Sequence, residues 1–302
     1  MQTKFLDLAR LGKNDWWRYL LSVAVILFVW LFGSTVAALV LIGIGYSNGG
    51  SVNMDPNTGE IAGVDPLWTV IILLLSFLPL LGSLLLSVRF IHNRPVTSLI
   101  TPLLKIDWKR VAIGFVGFGL LLVVACTVES FLFPGRYQFT FKPLDTLKFA
   151  PVILLLIPFQ AASEELLFRG YMMQSIGLLT RRAWIPVLIS SLIFMLLHIS
   201  NPEAKVDTLL MLGNYLAAGL LFALVTIKDN RLELAIGMHI VNNVFVLLVN
   251  TTVSALPVPP VFTVTTLDAG YGLVSSIAIA LIFYGGLHFF LLSKKTVETE
   301  AV

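Results

Sequence analysis

Pro151–Met173, "PVILLLIPFQAASEELLFRGYMM", reads for its first dozen residues as the middle of a membrane helix, then sets Glu164, Glu165 and Arg169 on the same helix. At bilayer depth each such charge costs about 2.5–3.5 kcal/mol on insertion scales. Charges persist there when they face a bundle interior and pair with other groups. The stretch therefore predicts a membrane bundle with a polar interior.

Composition agrees. The 302-residue chain is 57% hydrophobic and 12% charged, with a mean hydropathy of +0.91. Soluble domains carry about 25% charged residues, so a soluble fold of this size could not cover its apolar side chains. The net charge of +3 does not point to nucleic acid, because the basic residues cluster in short loops between apolar runs. Cys126 is the one cysteine, which rules out an intrachain disulfide or a CxxC metal site. The polar head "MQTKFLDLARLGKNDWWR" is too long, and the apolar run after it too extended, for a cleavable signal. It reads as an amphipathic cytosolic segment. The last residues, "KKTVETEAV", read as a charged tail without a lipidation cysteine.

A bilayer core needs about 20 apolar residues per helix. Eight runs qualify, at roughly 19–46, 67–91, 111–133, 149–170, 184–200, 207–227, 232–250 and 271–293. The fourth keeps an apolar stripe toward Leu179, and the end of the fifth at "HISNPE" is the least defined boundary. The fold class expected is all-α: one polytopic membrane helical bundle over residues 1–302, with a motif-bearing core at about 149–250. Fifteen of the twenty lysines and arginines fall on one side of these spans and four on the other, with Arg169 inside a helix. The positive-inside rule then puts both termini in the cytosol.

The embedded ionisable residues are Glu129, Glu164, Glu165, Arg169, His198, His239 and His288, with Gln160, Asn214, Asn242 and Asn243 as amides nearby. Glu165 and Arg169 are spaced i, i+4 in the favourable acid-before-base order. Glu164 is rotated about 100° from Glu165 and shares its face with Gln160 instead. One carboxylate is thus neutralised in place while the other is free to act, and a low-dielectric setting suits a carboxylate general base. Phe194 and His198 are i, i+4 on the fifth helix, as are His239 and Asn243 on the seventh. Together these groups can activate a water and stabilise an oxyanion, or hold a divalent metal with an open position. Taken singly, each has a structural reading: His288 as a packing residue, Glu129 snorkelling to the outer interface, Asn214 as an interhelical hydrogen-bonding residue, Glu165–Arg169 as a brace. Three helices each carrying a proton-active group are harder to explain structurally.

"EELLFR" at Glu164–Arg169, "FMLLH" at Phe194–His198 and "HIVNN" at His239–Asn243 resemble, in order, the EExxxR, FxxxH and HxxxN motifs of the CAAX prenyl protease and bacteriocin-processing (CPBP, Abi) family of intramembrane endopeptidases. The resemblance spans roughly residues 149–250. It implies an eight-helix bundle with a cavity open to the cytosol and the adjoining leaflet. By position, Glu164 would activate the water, His198 would help hold that water or a metal, and His239 and Asn243 would stabilise the oxyanion, with Glu165, Arg169 and Phe194 supporting. A metal such as zinc, if bound, would take Glu164, His198 and His239; HExxH is absent.

The function expected is hydrolysis of a peptide bond in a membrane-associated substrate, lipidated or not, in the plasma membrane of a prokaryote, with the lipid bilayer as the other partner and no nucleic acid. The alternative is a non-catalytic immunity or scaffold protein that retains the protease fold. A proton-coupled transporter would show repeats or paired interrupted helices, and the sequence has neither.

Overall fold

The computed structural model describes residues 4–290 apart from 50–52, 54, 56–59, 252 and 255. Backbone groups in hydrocarbon must be satisfied within their own segment, and apolar runs of this length do so as helices. Among the described residues six are long and apolar enough to cross a membrane: α1 (Trp16–Ser47), α2 (Pro66–Ile91), α3 (Trp108–Leu132), α4 (Pro143–Gly177), α6 (Thr208–Asp229) and α8 (Ala269–Phe290). Two shorter apolar helices, α5 (Trp184–Leu197) and α7 (Glu233–Leu248), stand where the other two spans were expected. The chain is a multi-pass integral membrane protein built as a helical bundle. The expected tail after Phe290 lies outside the described residues.

Alternate helix ends fall on two faces. The basic face carries the start of α1, α3, α5 and α7 and the end of α2, α4 and α6; the opposite face carries their other ends. The amphipathic head does not lie loose on the basic face. Phe5–Leu11 forms a 3-10 helix whose Phe5, Leu8 and Ala9 are buried, with the Phe5 N–H donating to Asn230 Oδ1 at 2.7 Å.

Glycines set the closest helix pair. A Cβ on Gly237 would stand 2.0 Å from the Val111 carbonyl oxygen, and one on Gly114 would stand 2.2 Å from that of Leu234. Helices α3 and α7 thus touch backbone to backbone, as small residues permit within membranes.

Helix α4 is not uniform. After Glu165 it widens into a π-helical turn over Leu166–Met172 before closing at Gly177. Such π turns inside α-helices often mark functional sites. The motif residues lie at different distances from the basic-face ends of their helices. His239 lies six residues past Glu233, about 9 Å, whereas His198 lies fourteen past Trp184, about 21 Å. Glu164 also lies about 20 Å from the end of its helix at Gly177. The α4–α5 hairpin therefore projects about 10 Å farther on the basic face than the α6–α7 turn.

The all-α expectation omits a small sheet on the opposite face. Strands β1 (Tyr137–Phe139), β2 (Val249–Thr251) and β3 (Phe262–Val264) lie in the order β1-β3-β2. Strand β1 pairs antiparallel to β3 with Tyr137 opposite Val264, and β2 pairs parallel with Val249 opposite Phe262. Three residues are too few to show the alternation by which a strand is read from sequence.

Candidate active site

Each motif contributes through a different bond. On α4, Gln160 Nε2 donates to Glu164 Oε1 at 2.7 Å, as their shared face requires. Arg169 NH1 donates to Glu165 Oε1 at 2.8 Å, both side chains being fully buried. The two adjacent carboxylates thus have separate partners.

Arg169 owes its place to more than Glu165. Its second terminal nitrogen donates to the Gly219 carbonyl on α6 at 3.1 Å. Its guanidinium lies 4.7 Å from the Phe194 ring centre, 5.6 Å from Phe222 and 5.8 Å from Phe168. Aromatic faces attract a cation most when both are desolvated. The Phe194 ring also stands 4.4 Å from the His198 ring and 6.1 Å from that of His239. The phenylalanine of the second motif is therefore the common wall of all three.

His239 sits between the two carboxylates. Its Nδ1 is 2.8 Å from Glu165 Oε1, and Nε2 is 3.5 Å from Glu164 Oε2. An ionised carboxylate only accepts, so Nδ1 carries the proton and Nε2 faces Glu164. Among the described residues, Glu164 Oε2 is buried without a hydrogen-bond partner. The sequence spacing did not reveal the Glu165–His239 bond, because it joins helices 74 residues apart.

His198 ends α5. Its Nδ1 donates to the Phe194 carbonyl at 2.7 Å, which leaves Nε2 as the nitrogen not used in that bond. The ring packs on Tyr215 with centres 4.5 Å apart, and the Tyr215 hydroxyl accepts from Asn201 Nδ2 at 3.0 Å. Asn243 Nδ2 donates to Gln160 Oε1 at 2.8 Å, and Asn243 Oδ1 accepts from Asn242 at 3.2 Å. A chain Asn242–Asn243–Gln160–Glu164 thus runs from α7 to α4.

Glu164, His198, His239, Asn242, Asn243 and Gln160 line one cavity of about 380 Å3, together with Tyr215, Asn201 and Glu203. The last three escaped the sequence reading: helix α6 carries no motif, and Asn201 and Glu203 lie in a connection. Glu129 does not snorkel freely but pairs with Arg136 at 2.6 Å. Asn214 does bridge helices, its Oδ1 accepting from Ser276 on α8 at 2.8 Å. The side chain of His288 lies outside the described residues.

The donor set does not make a metal site. Among the described residues no group of three His, Cys, Asp or Glu side chains is arranged to hold a metal ion. Glu164, His198 and His239, the ligands named from the sequence, do not form such a group, and the Nδ1 bond to Glu165 leaves Nε2 as the open ring nitrogen of His239. A metalloprotease reading finds no support in this geometry.

Residues 146–245, which contain the three motifs and the bonds just described, match the family described as type II CAAX prenyl endopeptidase Rce1-like. The resemblance to CAAX-type proteases read from the motifs is borne out, and it supports a membrane protease at the level of class. A relative from Bacillus subtilis (strain 168), described as "Uncharacterized protein YyaK", is 29% identical over 277 residues, covering 91% of this chain and 92% of its own. The likeness to that protein thus extends well beyond the motif helices. No solved structure matches.

Proposed function

We propose that the protein is an intramembrane endopeptidase that hydrolyses a peptide bond of a membrane-associated substrate with a water activated by Glu164. The observation that carries this reading is Glu164 Oε2: buried, unpartnered among the described residues, and facing His239 inside a cavity. A cavity-lining carboxylate with one oxygen left uncommitted is where a water would be bound and deprotonated.

With Nδ1–H on Glu165, the set Glu164, Glu165, Arg169 and His239 carries one net negative charge. In the proposed mechanism His239 carries a proton on Nε2 as well, which brings the set to zero. In that state Glu164 is an ionised carboxylate and His239 Nε2 a donor beside it at the cavity wall. Glu164 takes a proton from water as the hydroxide oxygen bonds to the scissile carbonyl carbon. The carbonyl electrons move onto its oxygen, where the Nε2–H of His239 and the amide of Asn243 or Asn242 stabilise the charge. As the intermediate collapses, the carbon–nitrogen bond breaks and Glu164 returns its proton to the leaving amine. His198, with Nε2 free, orients the water. Glu165, Arg169 and Phe194 are positioning residues.

The test compares membrane-peptide profiles of cells carrying wild-type protein and the Glu164→Gln variant. The expected result is loss of specific cleavage products at unchanged protein abundance. Products at the wild-type level from the variant contradict the reading and favour the scaffold alternative.

A further inference from the structure

The cavity has a direction. On α7 its lining starts at His239 and continues through Asn243 to Leu247; on α6 it includes Tyr215 and Phe222. Phe222 lies about 10 Å from the basic-face end of α6, and His239 about 9 Å from that of α7. Below that level the bundle is shut. Leu234, Ala235 and Met238 are at most 1% exposed, the Leu232 N–H donates to the Ile100 carbonyl at 2.8 Å, and Arg110 pairs with Asp229. A Cβ on Gly170 would stand 2.8 Å from the Leu99 carbonyl oxygen, so the 96–99 turn packs directly against the π segment.

In the other direction the cavity reaches Ser254 and Leu256, past the end of α7 at Leu248. The same two residues line a second cavity of about 620 Å3, whose walls carry Glu60, Asp65, Lys142, Asp145 and Lys148. Five charged side chains make a wall suited to water, and all five belong to segments on the face opposite the basic one. The cavity walls thus run from Glu164 to a charged cleft on that face.

We propose that the site is entered from the non-basic face, which the charge distribution assigns to the extracytoplasmic side, through the cleft that meets the cavity at Ser254 and Leu256. The substrate class that follows, resting on the hydrolase reading above, is a membrane-anchored peptide whose polar part lies outside the cytoplasm. This is the reverse of the cytosolic opening implied by the family resemblance.

The route can be tested without any cleavage. In a Cys126→Ala background, single substitutions Leu256→Cys and Asn201→Cys probe the cavity and its rim, and Arg181→Cys probes the basic face. Intact cells are treated with a membrane-impermeant maleimide, and membrane abundance is checked for each variant. Leu256→Cys and Asn201→Cys are expected to label in intact cells, and Arg181→Cys only after permeabilisation. Labelling of both cavity variants only after permeabilisation, or under neither condition, overturns the proposal, as does labelling of Arg181→Cys in intact cells. Failure of the hydrolase reading instead leaves the labelling pattern intact and appears as unchanged peptide profiles with Glu164→Gln.

Discussion

Glu165 shows how much a single side chain can hold. It accepts from Arg169 and from His239, so it both balances a buried cation and fixes the proton on Nδ1 of the imidazole. Removing one partner of a buried ion pair costs about 3–5 kcal/mol, whereas replacing both by apolar groups is often neutral. Glu165→Leu alone is therefore expected to lower the thermal midpoint in detergent strongly, and Glu165→Leu with Arg169→Met to recover much of the loss. Cleavage is expected to stay low in both, because His239 has lost its acceptor. Recovery of activity with stability would show Glu165 to be only a brace. At this scale the sequence was informative where contacts are local: Gln160 with Glu164 and Glu165 with Arg169 follow from a spacing of four. Contacts between helices, such as His239 with Glu165 or His198 with Tyr215, leave no periodic trace.

Among elements, the approach of α3 and α7 positions the third motif. Gly237 lies two residues before His239, and its missing Cβ lets α7 rest on the Val111 carbonyl. Gly237→Ala is expected to push the helices apart, lowering both the thermal midpoint and cleavage, while Gly43→Ala, with nothing within 4 Å of the added Cβ, leaves both unchanged. Equal behaviour of the two variants in a detergent melt would remove this role for the pair. The eight spans were legible because apolar length is a strong signal. The π turn in α4 was not, since a local widening of the helix leaves the apolar run unchanged; Gly170 within it lies against the Leu99 carbonyl. The small sheet was equally hidden in its three-residue strands.

On the scale of the whole molecule, the basic face is closed by polar contacts and by the 3-10 helix of the head. His92 belongs to this closure: Nδ1 donates to the Lys13 carbonyl at 2.9 Å, and Nε2 lies 2.9 Å from the Tyr171 hydroxyl. Burial lowers its pKa below the ordinary 6.5; the bond to Lys13 opposes this, and the nearby Arg94 and Arg18 add to it. The unfolded chain then takes up the proton first as pH falls, so stability present above about 6.5 declines as pH drops toward the lowered value. The thermal midpoint is expected to fall between about pH 7.5 and about pH 5.5, and to fall less in His92→Gln, whose side chain does not titrate in that range. An equal fall in both proteins would place the pH response elsewhere. The central claim concerns the water at Glu164, and hydrolysis in heavy-oxygen water by protein in lipid nanodiscs reaches it most directly. One heavy oxygen is expected in the new carboxyl terminus of the product, and no product from Glu164→Gln; product formed at an undiminished rate by that variant would contradict a Glu164-activated water.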